Sequence, residues 1–303
     1  MKRTLITGTN GFVATRLIDF CGENTFGISR SDNHKTEKKA STFYGSILDL
    51  EFLKRAISES EPDIIYHLAA QSIVRIANAN PLYCLQDNII GTANVLEAAR
   101  QVNPKIKIII TSSDKCYGEH TTLPYLETFS LNAGDPYSTS KACADLVAQS
   151  YHKTYGLDVT IVRSANIYGG GDMNLSRLIP NTITKILNKQ KPVIYSGVMD
   201  YKREFIFVDD VCEAYKFLSE NGKPGEAYNV GTGEVYRVGY LIETICKQMN
   251  WNEGIEIVEK SFPEIKKQYL SSEKINNLGW EAKTSLSQGL EKAIDWYVKK
   301  FKK

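Results

Sequence analysis

Through residues 4–163, short and continuously apolar runs alternate with longer helical stretches, and this alternation restricts the fold more than any other feature of the chain. Strands are expected at 4–7, up to Ile28, and at 63–68, 106–111 and 159–163, with helices at 12–20, 50–58, 81–100 and 138–155 between them. A strand that is apolar at every position must be covered on both faces. A parallel sheet with crossover helices achieves this and a half-exposed antiparallel sheet does not. The expected class is therefore α/β, with a doubly wound parallel sheet. After Asn166 the pattern becomes irregular, with Gly169-Gly170-Gly171, a helix near 178–187, short strands near Val193 and Phe205, and more helix. This places a main domain over 1–165, a smaller lobe over 166–303 folded against it, and a return of 203–222 to the main domain.

Composition removes several classes of function. A length of 303 residues suits one core with an appended lobe, and the net charge of +2 argues against a broad nucleic-acid surface. The terminal Lys299-Lys300-Phe301-Lys302-Lys303 reads as a solvated helix end. No window has the apolar length of a membrane span, and residues 1–10 enter a strand instead of forming a signal peptide. The six cysteines (21, 84, 116, 143, 212 and 246) form no CxxC and do not cluster with the four histidines. Free thiols in a reducing, cytoplasmic setting and no metal are expected. His67 ends an apolar strand and reads as a hydrogen-bonded core histidine, while His34, His120 and His152 have no partners at ligand spacing. Trp251, Trp280 and Trp296 read as packing residues of the smaller lobe.

Gly8-Thr9-Asn10-Gly11-Phe12-Val13-Ala14 joins the first strand to the first helix. Glycine there permits a tight turn and close approach of a pyrophosphate to the helix N-terminal amides. The position points to a Rossmann-type dinucleotide site, so 1–165 is expected to be the dinucleotide-binding domain. The end of the second strand should select the cofactor, since a carboxylate would hold the ribose hydroxyls of NAD and a base the extra phosphate of NADP. Ser29 and Arg30 occupy the likeliest positions and lean towards NADP; Asp32 keeps NAD open, and a solvated loop arginine is the plainer alternative.

Two further motifs carry chemistry. Thr111-Ser112-Ser113-Asp114-Lys115-Cys116-Tyr117-Gly118 sets a hydroxyl, a carboxylic acid and an amine side by side where an apolar strand ends. Downstream, Tyr137 and Lys141 are four apart on one helical face, and Tyr137 is the only tyrosine with a lysine at that spacing. A phenol beside an ammonium suits hydride transfer, and an added acid and base suit loss of water.

Together these segments resemble, nearly end to end, an extended short-chain dehydrogenase/reductase acting on nucleotide sugars. The resemblance runs through the glycine turn, Leu68-Ala69-Ala70-Gln71, Asn88-Ile89-Ile90-Gly91-Thr92, Ser113, Tyr137/Lys141, residues 163–169 and residues 203–210. Thr-Ser-Ser-Asp-Lys-Cys-Tyr and Ala-Gln-Ser-Ile-Val-Arg are most similar to the 4,6-dehydratases, particularly those of CDP-glucose. It implies tightly bound, recycled cofactor held by Gly8, Asn10, Gly11, Phe12, Val13, Arg30, Leu68, Ala69, Ala70, Tyr137 and Lys141.

The implied chemistry gives each group a role. Lys141 lowers the pKa of Tyr137, which takes the proton of the sugar 4-hydroxyl as hydride leaves C4, and Ser113 steadies the same oxygen. Lys115 abstracts the C5 hydrogen, Asp114 protonates the departing 6-hydroxyl, and hydride returns to C6. Glutamate is common in this family where the chain has Lys115, and a lysine base must be neutral, several units below about 10.4. Pairing of Lys115 with a carboxylate or phosphate, and Asp114 as a strand-end cap, are the alternatives. Arg203 and Arg163 are candidates for the diphosphate, though either could form a structural ion pair. Asn166 is a candidate sugar contact, Lys202 or Arg75 could assist, and 178–195, with Pro180, Val193 and Tyr195, resembles the part that covers the base. The resemblance implies that 81–100 and 138–155 form a four-helix interface between two copies, with burial within one subunit as the alternative. The competing functions are a nucleotide-sugar 4-epimerase or 4-ketosugar reductase, which need no elimination, and a non-catalytic NAD(P)-binding regulator.

Overall fold

The computed structural model describes residues 2–32, 40–259 and 264–301, so the expectations for His34, Lys302 and Lys303 lie outside the described residues. In chain order the strands are β1 (Thr4–Thr7), β2 (Thr25–Ser29), β3 (Ser41–Tyr44), β4 (Ile64–His67), β5 (Lys107–Ser113), β6 (Val159–Ser164), β7 (Asn166–Tyr168), β8 (Val193–Tyr195), β9 (Lys202–Phe207), β10 (Ala227–Val230), β11 (Val235–Arg237), β12 (Glu256–Val258) and β13 (Lys267–Gln268). Seven of them form one parallel sheet in the order β10-β6-β5-β4-β1-β2-β3. The direction of winding reverses between β1 and β4, which opens a crevice at their carboxyl ends.

Alternate side chains of these strands enter two separate apolar cores. Ile6, Tyr66, Ile109 and Val162 pack with Leu17, Val211 and Tyr215 on one face. Leu5, Ile65, Ile108, Ile110 and Ile161 pack with Leu53, Ile57, Val95 and Leu96 on the other. Burial on both faces is the physical reason that the strands read as unbroken apolar runs.

The helix expected over 81–100 is interrupted. It runs as Pro81–Leu85, a wide π-turn at Gln86–Ile90, and then Gly91–Val102. The extra residue turns Asn88 inwards, where its Oδ1 accepts from the Gln71 N–H at 2.7 Å and its Nδ2 donates to Ser140 Oγ at 2.7 Å. Helical periodicity gives no sign of this, because the π-turn is stabilised by contacts outside the helix.

The helix Pro136–Tyr155 starts where a stop–start signal is strongest. Pro136 occupies its first turn, and Asp135 Oδ1 accepts from the N–H groups of Tyr137 and Ser138 at 3.0 and 3.1 Å.

Segment 203–222 divides between two places. β9 centres a small sheet in the order β11-β9-β13, with β7 pairing against β9. The helix Val208–Asn221 that follows it directly packs on the large sheet and on the helix Phe12–Cys21, and β10 then joins the large sheet beside β6. β8 and β12 form a separate pair.

Gly118 closes the turn after β5 at φ +67°, and a Cβ there would lie 1.7 Å from the Asn132 carbonyl oxygen. Gly118→Ala is expected to lower stability by about 3 kcal/mol through the clash and the left-handed backbone together, read as a lower urea midpoint with unchanged slope.

Candidate active site

A groove of about 2930 Å³ runs along the carboxyl ends of β1, β4 and β5, and residues 166–195 and 264–268 form its opposite wall. The apolar strands end here because backbone and polar side chains can be exposed only where the sheet stops.

One end fits a dinucleotide. Gly8 has φ +77°, and a Cβ on it would lie 2.8 Å from Ala69 Cα, so the first and fourth strand ends approach as closely as backbone allows. No side chain caps the helix Phe12–Cys21 and its first turn has no acid, which leaves its amides available to an anion. Gly8, Asn10, Gly11, Phe12, Val13, Leu68, Ala69 and Ala70 all line this part of the groove. Asn10 Nδ2 donates to Ser29 Oγ at 2.8 Å and to the Ser31 carbonyl at 3.1 Å, binding the glycine turn to the end of β2. Arg30 lines the groove, but its guanidinium donates to the Tyr83 hydroxyl and, at 3.2 Å, to Asp87 of the π-turn. Asp32 accepts from the Tyr44 hydroxyl at 2.7 Å. The two groups that favour NADP and NAD are thus both engaged within the protein.

The middle of the groove gathers Ser113, Asp114, Lys115, Tyr137 and Lys141. Ser113 Oγ donates to Asp114 Oδ1 at 3.0 Å and accepts from the Lys115 N–H at 3.3 Å, so the strand end is capped by its own serine. Asp114 is 1% exposed, and its Oδ2 has no partner among the described residues. Lys115 Nζ donates to Gln268 Oε1 at 2.9 Å and to Asn166 Oδ1 at 3.5 Å, and stands 3.7 Å from Asp114 Oδ1.

Burial dominates the phenol and the amine on the helix. It pushes Tyr137 up to about 12, while Arg177 and the Ser113 hydroxyl act to lower it. It also pulls Lys141 down to about 8, and the Lys141 Nζ donates to the Thr111 carbonyl at 2.8 Å.

The remaining expectations meet different fates. Arg163 is withdrawn as a diphosphate ligand: it is 3% exposed and outside the groove. Its Nε and Nη2 donate to Asp145 at 2.8 and 3.0 Å, and its Nη1 donates to the Tyr117 hydroxyl at 2.9 Å and the Glu127 carbonyl at 3.1 Å. A charge on a buried strand must be paired where it stands. Arg203 reaches the groove wall but donates to Glu264 Oε1 at 2.9 Å and to the Ile265 carbonyl at 2.5 Å. Asn166, Arg75 and the half-exposed Tyr195 line the groove, and Asn166 Nδ2 donates to the Glu204 carbonyl at 2.9 Å. Lys202 is exposed on β9. His67 bridges Thr7 Oγ1 at 2.8 Å and Thr92 Oγ1 at 3.0 Å, and burial lowers it to about 3, so it is a neutral core residue. Among the described residues, no group of three His, Cys, Asp or Glu could hold a metal, and no helix is long and apolar enough to cross a membrane.

Two groove residues escaped the sequence reading. Arg177, paired with Asp172 at 3.0 Å, faces Tyr137, and Gln268 meets Lys115 from the far wall. Neither sits in a motif, and only the fold brings them in.

The family model described as GDP-mannose 4,6 dehydratase matches residues 5–293. The dTDP-D-glucose 4,6-dehydratase of Mus musculus is 30% identical over 99% of this chain and 90% of its own length. The CDP-glucose 4,6-dehydratase of Salmonella typhimurium is 28% identical over 84% of this chain and 75% of its own. Among solved structures, the UDP-glucose 4-epimerase of Thermotoga maritima with UDP-glucose superposes with a TM-score of 0.93 at 27% identity, covering 98% of this chain and 99% of that one. The dTDP-glucose 4,6-dehydratase of Streptomyces venezuelae with NAD gives 0.90 at 26% identity, covering 98% and 97%.

Asp145→Leu strands the Arg163 guanidinium in the core and is expected to cost about 3–5 kcal/mol in urea unfolding. Replacing both partners by apolar residues is expected to recover part of that loss.

Proposed function

The chain belongs to the GDP-mannose 4,6 dehydratase family, and from that premise we propose that it is a nucleotide-sugar 4,6-dehydratase, forming a 4-keto-6-deoxyhexose and water. The observation that carries this reading is the placement of Asp114 and Lys115 beside Ser113, in the same groove as Tyr137 and Lys141. Oxidation at C4 alone requires only the serine, the phenol and the amine. A carboxyl and a further amine at the same point are the extra acid and base that elimination needs.

NAD or NADP, when bound, supplies the reversible hydride acceptor. Tyr137 accepts the proton of the 4-hydroxyl, and Ser113 donates to that oxygen as the ketone forms. The ketone acidifies the C5 hydrogen, which Lys115 removes while Asp114 protonates the departing 6-hydroxyl. Asp114 Oδ2, buried and unpartnered, is the atom available for that transfer. Burial of Tyr137 and Lys141 excludes water from the proton transfers.

In this reading residues 1–165 hold the cofactor and 166–303 the nucleotide sugar, with the helix Val208–Asn221 supporting the first. Two copies pair through the helices around 81–102 and 136–155. Leu82, Ile90, Leu146 and Tyr155, all exposed apolar residues on those segments, support this. A cytoplasmic location agrees with six free cysteines.

The second reading, a 4-epimerase, is favoured by the Thermotoga likeness and requires Asp114 and Lys115 to be structural. A 4-ketosugar reductase makes the same demand. A non-catalytic regulator would have no use for the Ser113, Tyr137 and Lys141 set.

Incubation with CDP-, GDP-, dTDP- and UDP-hexoses in heavy water is expected to give a product lighter by one water, with deuterium at C5 and no net reduced cofactor. Inversion at C4 without mass loss would establish the epimerase, and dependence on added NADPH and a 4-keto sugar the reductase. Tyr137→Phe is expected to lower turnover at least about 100-fold while sparing cofactor binding. Asp114→Asn should slow elimination much more than C4 oxidation. Leu146→Glu is expected to convert a dimer to a monomer in sedimentation; a wild type already monomeric would end the dimer reading.

A further inference from the structure

Lys115 is gripped from three sides, by Gln268 Oε1 at 2.9 Å, Asn166 Oδ1 at 3.5 Å and Asp114 Oδ1 at 3.7 Å. Two of these three partners keep a second polar atom buried without a partner: Asp114 Oδ2 and Gln268 Nε2. Gln268 is 2% exposed and lines the groove. It stands on the two-residue β13, which is fixed beside β9 by the pairings Lys267 to Lys202 and Gln268 to Arg203. The adjacent Leu270 N–H is held by Glu204 Oε2 at 2.8 Å, so the strand cannot slide to satisfy the amide.

A buried amide donor without an acceptor lowers stability, and one on a residue that lines a groove can be satisfied by a group that enters it. The partner must be an acceptor. In the nucleotide-sugar reading, the part of the substrate beside Ser113, Asp114 and Lys115 is the hexose, whose hydroxyl oxygens are acceptors. A sugar hydroxyl fits, its oxygen accepting from Gln268 Nε2.

We propose that Gln268 is a positioning residue for the hexose half of the substrate, its Nε2 donating to a sugar hydroxyl while its Oε1 fixes the Lys115 amine against the same sugar. The proposal rests on the nucleotide-sugar reading of the groove. It gives the far wall a part in catalysis: one side chain sets the distance between the sugar and the base.

Calorimetric titration of the full chain decides it. The probes are whichever of CDP-glucose, dTDP-glucose, UDP-glucose and GDP-mannose the wild type binds, each beside its own nucleoside diphosphate. Gln268→Met removes both polar ends at similar length, and Gln268→Glu keeps an oxygen for Lys115 but loses the N–H. Both variants are expected to weaken the sugar nucleotide by about three- to tenfold and to leave the nucleoside diphosphate within about twofold. The Met variant should also lose C5 deuterium incorporation more than C4 oxidation. Equal weakening of sugar nucleotide and nucleoside diphosphate, tracking a fall in melting temperature, would reduce Gln268 to a structural residue. Unchanged affinity for both would overturn the sugar contact. A wild type that binds a nucleotide sugar without dehydrating it ends the dehydratase reading, yet the binding comparison still decides Gln268. Binding of none of the four probes overturns both.

Discussion

The Arg163 guanidinium ties the elements that carry Asp114, Lys115, Tyr137 and Lys141 into one frame. Rooted on β6, it forms a two-pronged pair with Asp145, which belongs to the same helix as Tyr137 and Lys141. Its third nitrogen reaches Tyr117, two residues beyond Lys115, and Tyr117 in turn donates to Asn229 on β10 at 2.7 Å. The helix with the phenol and the turn with the acid and base are therefore braced against one charge in the core. Such a charge is expensive to bury, and its cost is offset only when every donor finds an acceptor, which makes the geometry around it hard to deform. Catalytic side chains gain from that rigidity, since small displacements of reacting groups cost rate steeply.

Dryness is the second constraint. Tyr137, Lys141 and His67 all lie buried near the end of the sheet, and burial drives each towards its neutral form. For His67, this produces an inert bridge between two threonines. For the phenol and the amine, it raises the one and lowers the other. Asp114 belongs to the same design, with one oxygen tied to Ser113 and the other free.

The fold superposes on structures of both an epimerase and a dehydratase. A fold does not choose between them. Under the proposed function, the choice lies with Asp114, Lys115 and the groups that surround Lys115.

The alternation of apolar strands and helices, the glycine turn and the Tyr137/Lys141 spacing were all legible along the chain, because each expresses a local period or a local backbone requirement. Sheet burial dictates unbroken apolar runs, a close approach dictates Gly8, and one helical face dictates a spacing of four. The interruption at Gln86–Ile90 was not legible, since Asn88 is held by Gln71 and Ser140 from other elements. Nor did composition reveal which arginine is spent inside: Arg163 and Arg203 carry the same group, and only their neighbours commit one to Asp145 and the other to Glu264. Gln268 lies 153 positions from Lys115, in a two-residue strand with no motif. Sequence alone was enough for the parallel sheet and for the glycine turn after its first strand. The tertiary structure alone decided which charges are paired, which polar atoms remain unpartnered, and which far residue reaches Lys115, because those depend on contacts closed across the whole chain.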